Sequence, residues 1–172
     1  MKAIVAVDST WGIGRNNELL FHIKEDLKRF KELTMFNVVV MGRKTFESLP
    51  NKKALPSRVN IVLTSDKNYK AEGCTVVNSI EELRKELKQY DTNRVYIIGG
   101  ESLYKQFIDE CTDVLVTFVY KNSNADKFFP RLIEDKEHWD YICGPVLYDE
   151  KEQCKFEYAI FNNKRFYNKL FK

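Results

Sequence analysis

The stretch NVVVMGRKTFESLP, residues 37–50, determines how the rest of the chain is interpreted. Its first half, from Val38 to Met41, is an unbroken apolar run, which is typical of a strand covered on both faces. Gly42 ends that run, and the polar residues after it predict a short helix. A buried strand that leads directly into a helix is the repeating unit of an α/β sheet.

The same alternation continues on both sides of residues 37–50. Further strands are predicted at 2–7, 59–63, 74–77, 94–98 and 114–119. Helices are predicted over 24–34, behind a capping box that begins at Ser79, and after Gly100. Two late runs, 139–143 and 156–161, predict an antiparallel pair. The chain is therefore expected to form one α/β domain whose mostly parallel sheet has an antiparallel C-terminal edge.

Length and composition limit the class of protein. A chain of 172 residues suits one domain, and the run from Val38 to Met41 is too short to cross a bilayer. The first apolar run ends at Asp8 and is interpreted as a strand, not as a signal peptide. We therefore expect a cytoplasmic protein that has no membrane segment.

Cysteine and histidine are sparse. The four cysteines are Cys74, Cys111, Cys143 and Cys154, and they form no C-x-x-C pair. We expect them to be reduced thiols that act as small buried side chains. His22 and His138 stand far apart, so the sequence predicts no metal site.

The net charge of +3 is concentrated at the C-terminus. Four basic residues, Lys164, Arg165, Lys169 and Lys172, follow Glu157, after which there is no acidic residue. Without them the chain has 24 basic residues against 25 acidic ones. A nearly neutral body argues against nucleic acid as the main partner.

Three predicted strands end in residues that suit a phosphate. Residues 42–45 read GRKT, 64–65 read TS and 99–102 read GGES. Helix N-termini offer free N–H groups and a positive dipole end, so two of these points could hold a pyrophosphate. The alternative is that the glycines only let the chain turn tightly after each strand. Neither a G-x-G-x-x-G nor a Walker motif is present.

Asp26 is the carboxylate of greatest interest. It lies in the first turn of the predicted 24–34 helix and shares a face with Phe30, four residues later. Beside Leu27, it could hold a flat polar heterocycle. Alternatively, it could be an exposed acid that is stabilised by the positive end of the helix dipole. Residues 11–14, WGIG, are predicted to form a loop that could close over such a site.

Together these segments resemble the dihydrofolate reductase family over residues 1–161. The matching motifs are IVAVD (4–8), the G-x-G loop that ends in Ile13-Gly14, E-D-L-x-x-F-K (25–31), VVMGRKTFESLP (39–50), LPSRVNIVLTS (55–65), YIIGGESLY (96–104), VTFV (116–119) and A-D-x-F-F-P (125–130). The resemblance implies an eight-stranded mixed sheet flanked by four helices, within a single domain at 1–162 followed by a basic, aromatic extension at 163–172. It implies a monomer that reduces 7,8-dihydrofolate with NADPH and is open to antifolate inhibitors.

The resemblance also implies roles for individual residues. Asp26 matches the catalytic carboxylate that pairs with the pterin edge. The substrate site is expected to include Val5, Leu27, Phe30, Leu49, Leu55, Arg58, Ile98 and Thr117. The NADPH site is expected to include Ala6, Ile13, Gly14, Gly42, Arg43, Lys44, Thr45, Thr64, Ser65, Gly99, Gly100, Glu101, Ser102, Leu103 and Tyr104.

Some positions depart from the family pattern. Phe21 replaces a common tryptophan, and Lys24 replaces a common proline. Asn78 and Ser102 stand where some members carry basic residues near the adenosine 2′-phosphate, so a reduced preference for NADPH over NADH is predicted.

Two other functions remain open. One is a related reductase of ribosylamino-pyrimidines, against which Asp26 and Arg58 discriminate. The other is a nucleotide-sensing or nucleic-acid-binding module that uses the basic extension.

Overall fold

A central mixed sheet organises the protein, whose computed structural model describes residues 1–167. Its strands are β1 (Lys2–Val7), β4 (Val38–Gly42), β5 (Val59–Leu63), β6 (Thr75–Val77), β7 (Val95–Gly99), β8 (Asp113–Val119), β10 (Trp139–Cys143), β11 (Leu147–Asp149) and β12 (Cys154–Asn163). The order β10-β12-β8-β1-β7-β4-β5-β6 forms an eight-stranded path, and β11 adds a short strand beside β12. The pairs from β8 to β6 are parallel, whereas β12 and β10 run antiparallel. The predicted sheet and its antiparallel edge are confirmed.

The helices follow the predicted positions closely. They are α1 (Lys24–Thr34), α2 (Arg43–Ser48), α3 (Ile80–Leu87), α4 (Glu101–Phe107) and the single turn α5 (Lys164–Tyr167). α3 begins as its capping box predicts, since the Ser79 side chain accepts a hydrogen bond from the N–H of Glu82. The four longer helices are the four expected from the sequence. No helix within residues 1–167 is long and apolar enough to span a membrane.

The core covers both faces of the sheet. On β4, Val38 and Val40 pack into one buried cluster, whereas Val39 and Met41 pack into another. Successive side chains of a strand point to opposite faces, so this split places apolar contacts on both sides of β4. The apolar run from Val38 to Met41 is uninterrupted because both faces of β4 are covered.

A second, small sheet replaces the loop predicted at residues 11–14. It has the order β3-β2-β9 and consists of β2 (Gly12–Arg15), β3 (Glu18–Leu19) and β9 (Lys127–Phe128). The loop prediction was wrong because Gly12 serves close packing: a Cβ there would lie 2.2 Å from the Cβ of Ala125. The Asp8 carboxylate accepts the Gly12 N–H at 2.8 Å and further anchors this segment to β1.

The cysteines only partly fit the expected role. All four are free; Cys111 and Cys154 are buried, Cys74 is half-buried and Cys143 is exposed. The expectation of buried side chains was therefore wrong for Cys143. It lies on β10, which pairs only with β12 and forms an edge of the sheet.

The first residues of the basic extension contact the body. Lys164 Nζ lies 2.9 Å from Asp140 Oδ1, and Arg165 Nη1 lies 2.5 Å from Asp109 Oδ1. Tyr167 donates a hydrogen bond to Asp113 at 2.6 Å. Strand β12 runs to Asn163, while Lys169 and Lys172 lie outside the described residues. The boundary between 162 and 163 stays a prediction.

Gly12→Ala is expected to destabilise the protein by about 1–3 kcal/mol, because the added methyl group overlaps Ala125 in a packed region. Urea denaturation measures this loss. Gly144→Ala is the matched control, since a Cβ there would lie 3.5 Å from the Tyr158 carbonyl oxygen, an ordinary contact. Equal effects of the two substitutions would contradict the packing argument.

Candidate functional site

A cavity of about 530 Å³ lies at the carboxyl ends of three parallel strands. Gly42 ends β4, Leu63 ends β5 and Gly99 ends β7, and all three line the cavity. Register pairing aligns Gly42 with Leu63 and Met41 with Gly99. Ligands of open α/β sheets bind at this edge, so the fold itself defines the location of the site.

The cavity brings together nearly all of the predicted cofactor residues. Those that line it are Ile13, Gly14, Gly42, Arg43, Lys44, Thr45, Thr64, Ser65, Gly99, Gly100, Glu101, Ser102, Leu103 and Tyr104. Ala6 is not among the lining residues. The Leu103 and Tyr104 side chains are largely buried, and Tyr104 donates a 2.8 Å hydrogen bond to the Ile4 carbonyl.

Gly99 is the cavity glycine that a side chain would strain most. Gly99 has φ +133°, and a Cβ there would lie 3.2 Å from Thr45 Oγ1. A Cβ at Gly100 would lie 3.4 Å from the same oxygen. α2 and α4 both begin beside this close approach, and the first N–H groups of a helix have no partner within it. This set of donors fits the pyrophosphate of a dinucleotide.

Several cavity residues were missed by sequence reasoning. They are Arg15, Asn17, Glu18, Leu19, Ser48, Leu63, Gln106 and Lys127. Arg15 and Lys127 come from the small sheet, which the sequence did not predict. The position of Arg15 directly after Gly14 was the available signal, whereas nothing near Lys127 indicated that β9 pairs with β2.

Arg43 lines the cavity and has an acidic and an aromatic side chain as neighbours. Its Nη1 lies 3.8 Å from Glu47 Oε1, and its guanidinium carbon lies 5.8 Å from the centre of the Tyr69 ring. Asn78 donates hydrogen bonds to the carbonyls of Thr64 and Asp66 at 3.0 and 3.1 Å. Asn78 therefore holds the loop after β5, and Asp66 does not line the cavity.

Asp26 is a half-buried carboxylate with a fixed partner. Thr117, which is 1% exposed on β8, donates a 2.5 Å hydrogen bond to Asp26 Oδ1. Burial raises the pKa of Asp26 above its ordinary value, whereas the Thr117 hydrogen bond and the charge of Arg29 oppose that rise. The structure contradicts the alternative in which Asp26 is an exposed acid.

The apolar residues predicted for the substrate site fall into two groups. Phe30, Leu49, Leu55 and Ile98 are partly buried against the cluster that contains Ile4 and Val39. Val5 belongs to the cluster on the other face, and Leu27 is 43% exposed. Ile98 also lines the cavity, so it joins this apolar wall to the predicted cofactor site.

Arg58 is held in place by neutral acceptors. Its Nε donates to Thr34 Oγ1 at 2.8 Å, and its Nη1 and Nη2 donate to the carbonyls of Pro56 and Lys31 at 2.9 and 3.2 Å. Within residues 1–167 no carboxylate lies within 4.0 Å of it. Arg58 therefore offers an oriented positive charge close to Phe30, whose ring centre is 5.8 Å away.

Metal binding finds no support in the described part of the chain. No group of three or more histidine, cysteine, aspartate or glutamate residues there is placed to hold a metal ion.

Phe21, which replaces the family's common tryptophan, is buried with Ile23 and Val119.

Comparisons with known proteins agree with this geometry. A sequence model of the family described as dihydrofolate reductase matches residues 1–163. A dihydrofolate reductase of Staphylococcus aureus is 39% identical over 152 residues, covering 88% of this chain and 90% of the relative. One of Bacillus subtilis is 32% identical over 162 residues, covering 94% and 93%. The solved structure of the Enterococcus faecalis dihydrofolate reductase, complexed with NADP(H) and RAB-propyl, superimposes with a TM-score of 0.83 at 35% identity, covering 94% of this chain and 95% of that one. The chain belongs to the dihydrofolate reductase family.

Proposed function

We propose that this protein catalyses the reduction of 7,8-dihydrofolate to 5,6,7,8-tetrahydrofolate, with hydride transfer to pterin C6 and protonation at N5. Membership of the family makes the chain a dihydrofolate reductase that uses NADPH. The observation that carries the proposal is the Asp26–Thr117 hydrogen bond. Phe30, which follows Asp26 by four residues on the same helix, belongs to an apolar wall that continues through Ile98 into the cofactor cavity.

The cavity residues fit NADPH in shape and chemistry. The Gly99–Gly100 segment leaves room for the pyrophosphate beside the first turns of α2 and α4. Arg43 and the hydroxyls of Thr64 and Ser65 are proposed to bind the adenosine 2′-phosphate. When bound, NADPH supplies the hydride from nicotinamide C4. The chain contributes binding and orientation, which is catalysis by proximity.

Asp26 is proposed to orient the pterin. A carboxylate can accept two parallel hydrogen bonds from the 2-amino group and N3, and its negative charge favours protonation at N5. The hydrogen bond from Thr117 fixes the carboxyl while leaving Oδ2 and part of Oδ1 able to accept. Asp26 thus serves as the negatively charged anchor of the pterin end of the site.

Arg58 is proposed to bind the glutamate end of the substrate. The planar guanidinium suits a carboxylate, and its bonds to the Thr34, Pro56 and Lys31 oxygens keep it oriented before substrate arrives. Phe30 and Leu55 would contact the benzoyl ring between the two charged ends.

The remaining alternatives have less support. Asp26 and Arg58 suit a pterin with a benzoylglutamate tail better than a ribosylamino-pyrimidine. Lys164 and Arg165 of the basic extension already pair with Asp140 and Asp109, which reduces the charge available for nucleic acid. A monomeric state and susceptibility to antifolates are part of the proposal.

Replacing Asp26 with asparagine tests the proposed function directly. The substitution keeps the size of the side chain and removes its charge, so hydride transfer at pH 7 should fall by about two orders of magnitude or more. Lower pH should partly restore the rate, because the substrate then arrives protonated. Single-turnover oxidation of NADPH measures both effects. Turnover close to that of the parent protein at pH 7 would refute the role of Asp26.

The folding stability of Asp26→Asn can be predicted as well. Burial raises the pKa of Asp26 in the folded protein, so its ionised form costs stability at neutral pH. Asp26→Asn should therefore be at least as stable as the parent at pH 7. Any gain should shrink as the pH falls through the raised folded-state pKa toward the ordinary value, because the parent's folded carboxyl then becomes protonated. Chemical denaturation at several pH values measures this.

Arg58→Leu should raise KM for dihydrofolate much more than it lowers kcat. A charge pair to the distal carboxylate stabilises the ground state and the transition state alike, so its loss weakens binding without slowing the chemical step. A pterin substrate without the glutamate is the control and should be almost unaffected by the substitution. Equal losses for both substrates would make Arg58 a structural residue.

Arg43→Ala should remove most of the preference for NADPH over NADH. A hydrogen bond to a charged group contributes about 1.5–3 kcal/mol, so the loss of one or two from the 2′-phosphate corresponds to at least about tenfold in NADPH use. Values of kcat/KM for both cofactors measure the ratio. Arg131→Ala is the control, since it removes an exposed arginine that does not line the cavity. An unchanged ratio in Arg43→Ala would exclude Arg43 from phosphate recognition.

A further inference from the structure

Arg29 belongs to the immediate surroundings of Asp26, although neither the sequence motifs nor the proposed function uses it. It follows Asp26 by three residues on α1, so both side chains lie on one face of that helix. Its guanidinium carbon lies 4.1 Å from the centre of the Tyr158 ring on β12. Tyr158 pairs in register with Thr117 on β8, and Thr117 donates its hydrogen bond to Asp26. The Thr117 hydrogen bond, the cross-strand pairing with Tyr158 and the spacing on α1 thus link Arg29 to Asp26.

The guanidinium is held by an aromatic face and not by an ion pair. Among the ion pairs of residues 1–167, none includes Arg29. Its Nη1 is buried and has no hydrogen-bond partner in that part of the chain. A cation over a tyrosine face is stabilised by the ring while its charge is left unneutralised. Its field is therefore available to a neighbouring anion.

The charged and hydrogen-bonding groups around Asp26 come from three elements. Glu25 and Arg29 lie on α1, Thr117 on β8 and Tyr158 on β12. Tyr158 is neutral near pH 7, as any tyrosine with an ordinary pKa of about 10 would be, and burial and the nearby carboxylates raise its pKa further, to about 12. Glu25 raises the pKa of Asp26 and Arg29 lowers it. Arg29 is the only cation of this group.

We propose that Arg29 is a positioning residue that keeps the Asp26 carboxyl ionised, acting from its fixed place on the Tyr158 ring without touching the substrate. Burial and Glu25 both favour the protonated carboxyl, which could not pair with the pterin as an anion. The Thr117 hydrogen bond and the charge of Arg29 act in the opposite direction. The catalytic consequence rests on the proposed role of Asp26, whereas the electrostatic coupling between Arg29 and Asp26 does not.

The coupling can be measured without substrate or cofactor. Carbon-13 NMR of the full chain, labelled at aspartate carboxyls, follows the titration of Asp26, and Asp26→Asn identifies its signal. In Arg29→Met the titration midpoint should move to higher pH, whereas Arg29→Lys, which restores the charge, should keep it near the parent value. Arg29→Gln is the second neutral variant and should behave like Arg29→Met if the latter folds poorly.

Tyr158→Phe is the matched control. It keeps the ring on which Arg29 rests and removes the hydroxyl, so the Asp26 midpoint should stay unchanged. The proposal is overturned if the midpoint is unmoved in the folded neutral variants, if Arg29→Lys shifts it as far as Arg29→Met, or if Tyr158→Phe reproduces that shift.

Kinetics then separate this inference from the proposed function. The acidic limb of kcat/KM for dihydrofolate should move to higher pH in Arg29→Met, by the same interval as the NMR midpoint, and return in Arg29→Lys. An NMR shift combined with an active Asp26→Asn would refute the role of Asp26 and leave the coupling intact. An unmoved midpoint combined with an inactive Asp26→Asn would refute only the role of Arg29.

Discussion

The ionised carboxyl of Asp26 is costly to hold because α1 places it against a sheet, away from much of the solvent. Burial alone favours its neutral form, and a neutral carboxyl would lose the charge on which the proposed pterin binding depends. Two interactions favour the ionised form. Thr117 on β8 donates a hydrogen bond to the carboxyl, and Arg29 on the same helix contributes a positive charge. Both depend on the position of α1 over β8 and β12, so the chemistry of a single side chain depends on the packing of three elements.

The parallel sheet sets the second constraint, which is where a dinucleotide can lie. β4, β5 and β7 end together, and two helices begin immediately beyond them. Gly99 leaves room at this edge, because a Cβ there would come within 3.2 Å of Thr45. The small sheet also lines the cavity, to which it contributes Arg15 and Lys127.

Much of this organisation was predictable from local sequence. The run at β5 was predicted at its observed bounds, and α1 likewise, because buried apolar runs and helical spacing are properties of neighbouring residues. β2 was missed because the reason for Gly12 lies in Ala125, more than a hundred residues away. Arg29 appeared as one of several charges on a helix, and only the packing of β12 reveals Tyr158 beneath it. Patterns among neighbouring residues predict helices and strands, whereas the roles of charged side chains depend on contacts between residues far apart in the sequence.

Ile98 connects the two halves of the proposed site. It is the penultimate residue of β7, and it packs against the cluster beside the predicted pterin wall while also lining the cofactor cavity. The parallel strands β1 and β4 flank β7, and Ile97 pairs with Ala3 and Val40, whereas Ile98 is the extra residue of a bulge because Met41 pairs with Gly99. Two flat rings bound on either side of it would be spaced by the sheet itself. Hydride transfer needs close, oriented reactants, and a site built on strands holds that geometry more firmly than one built on loops.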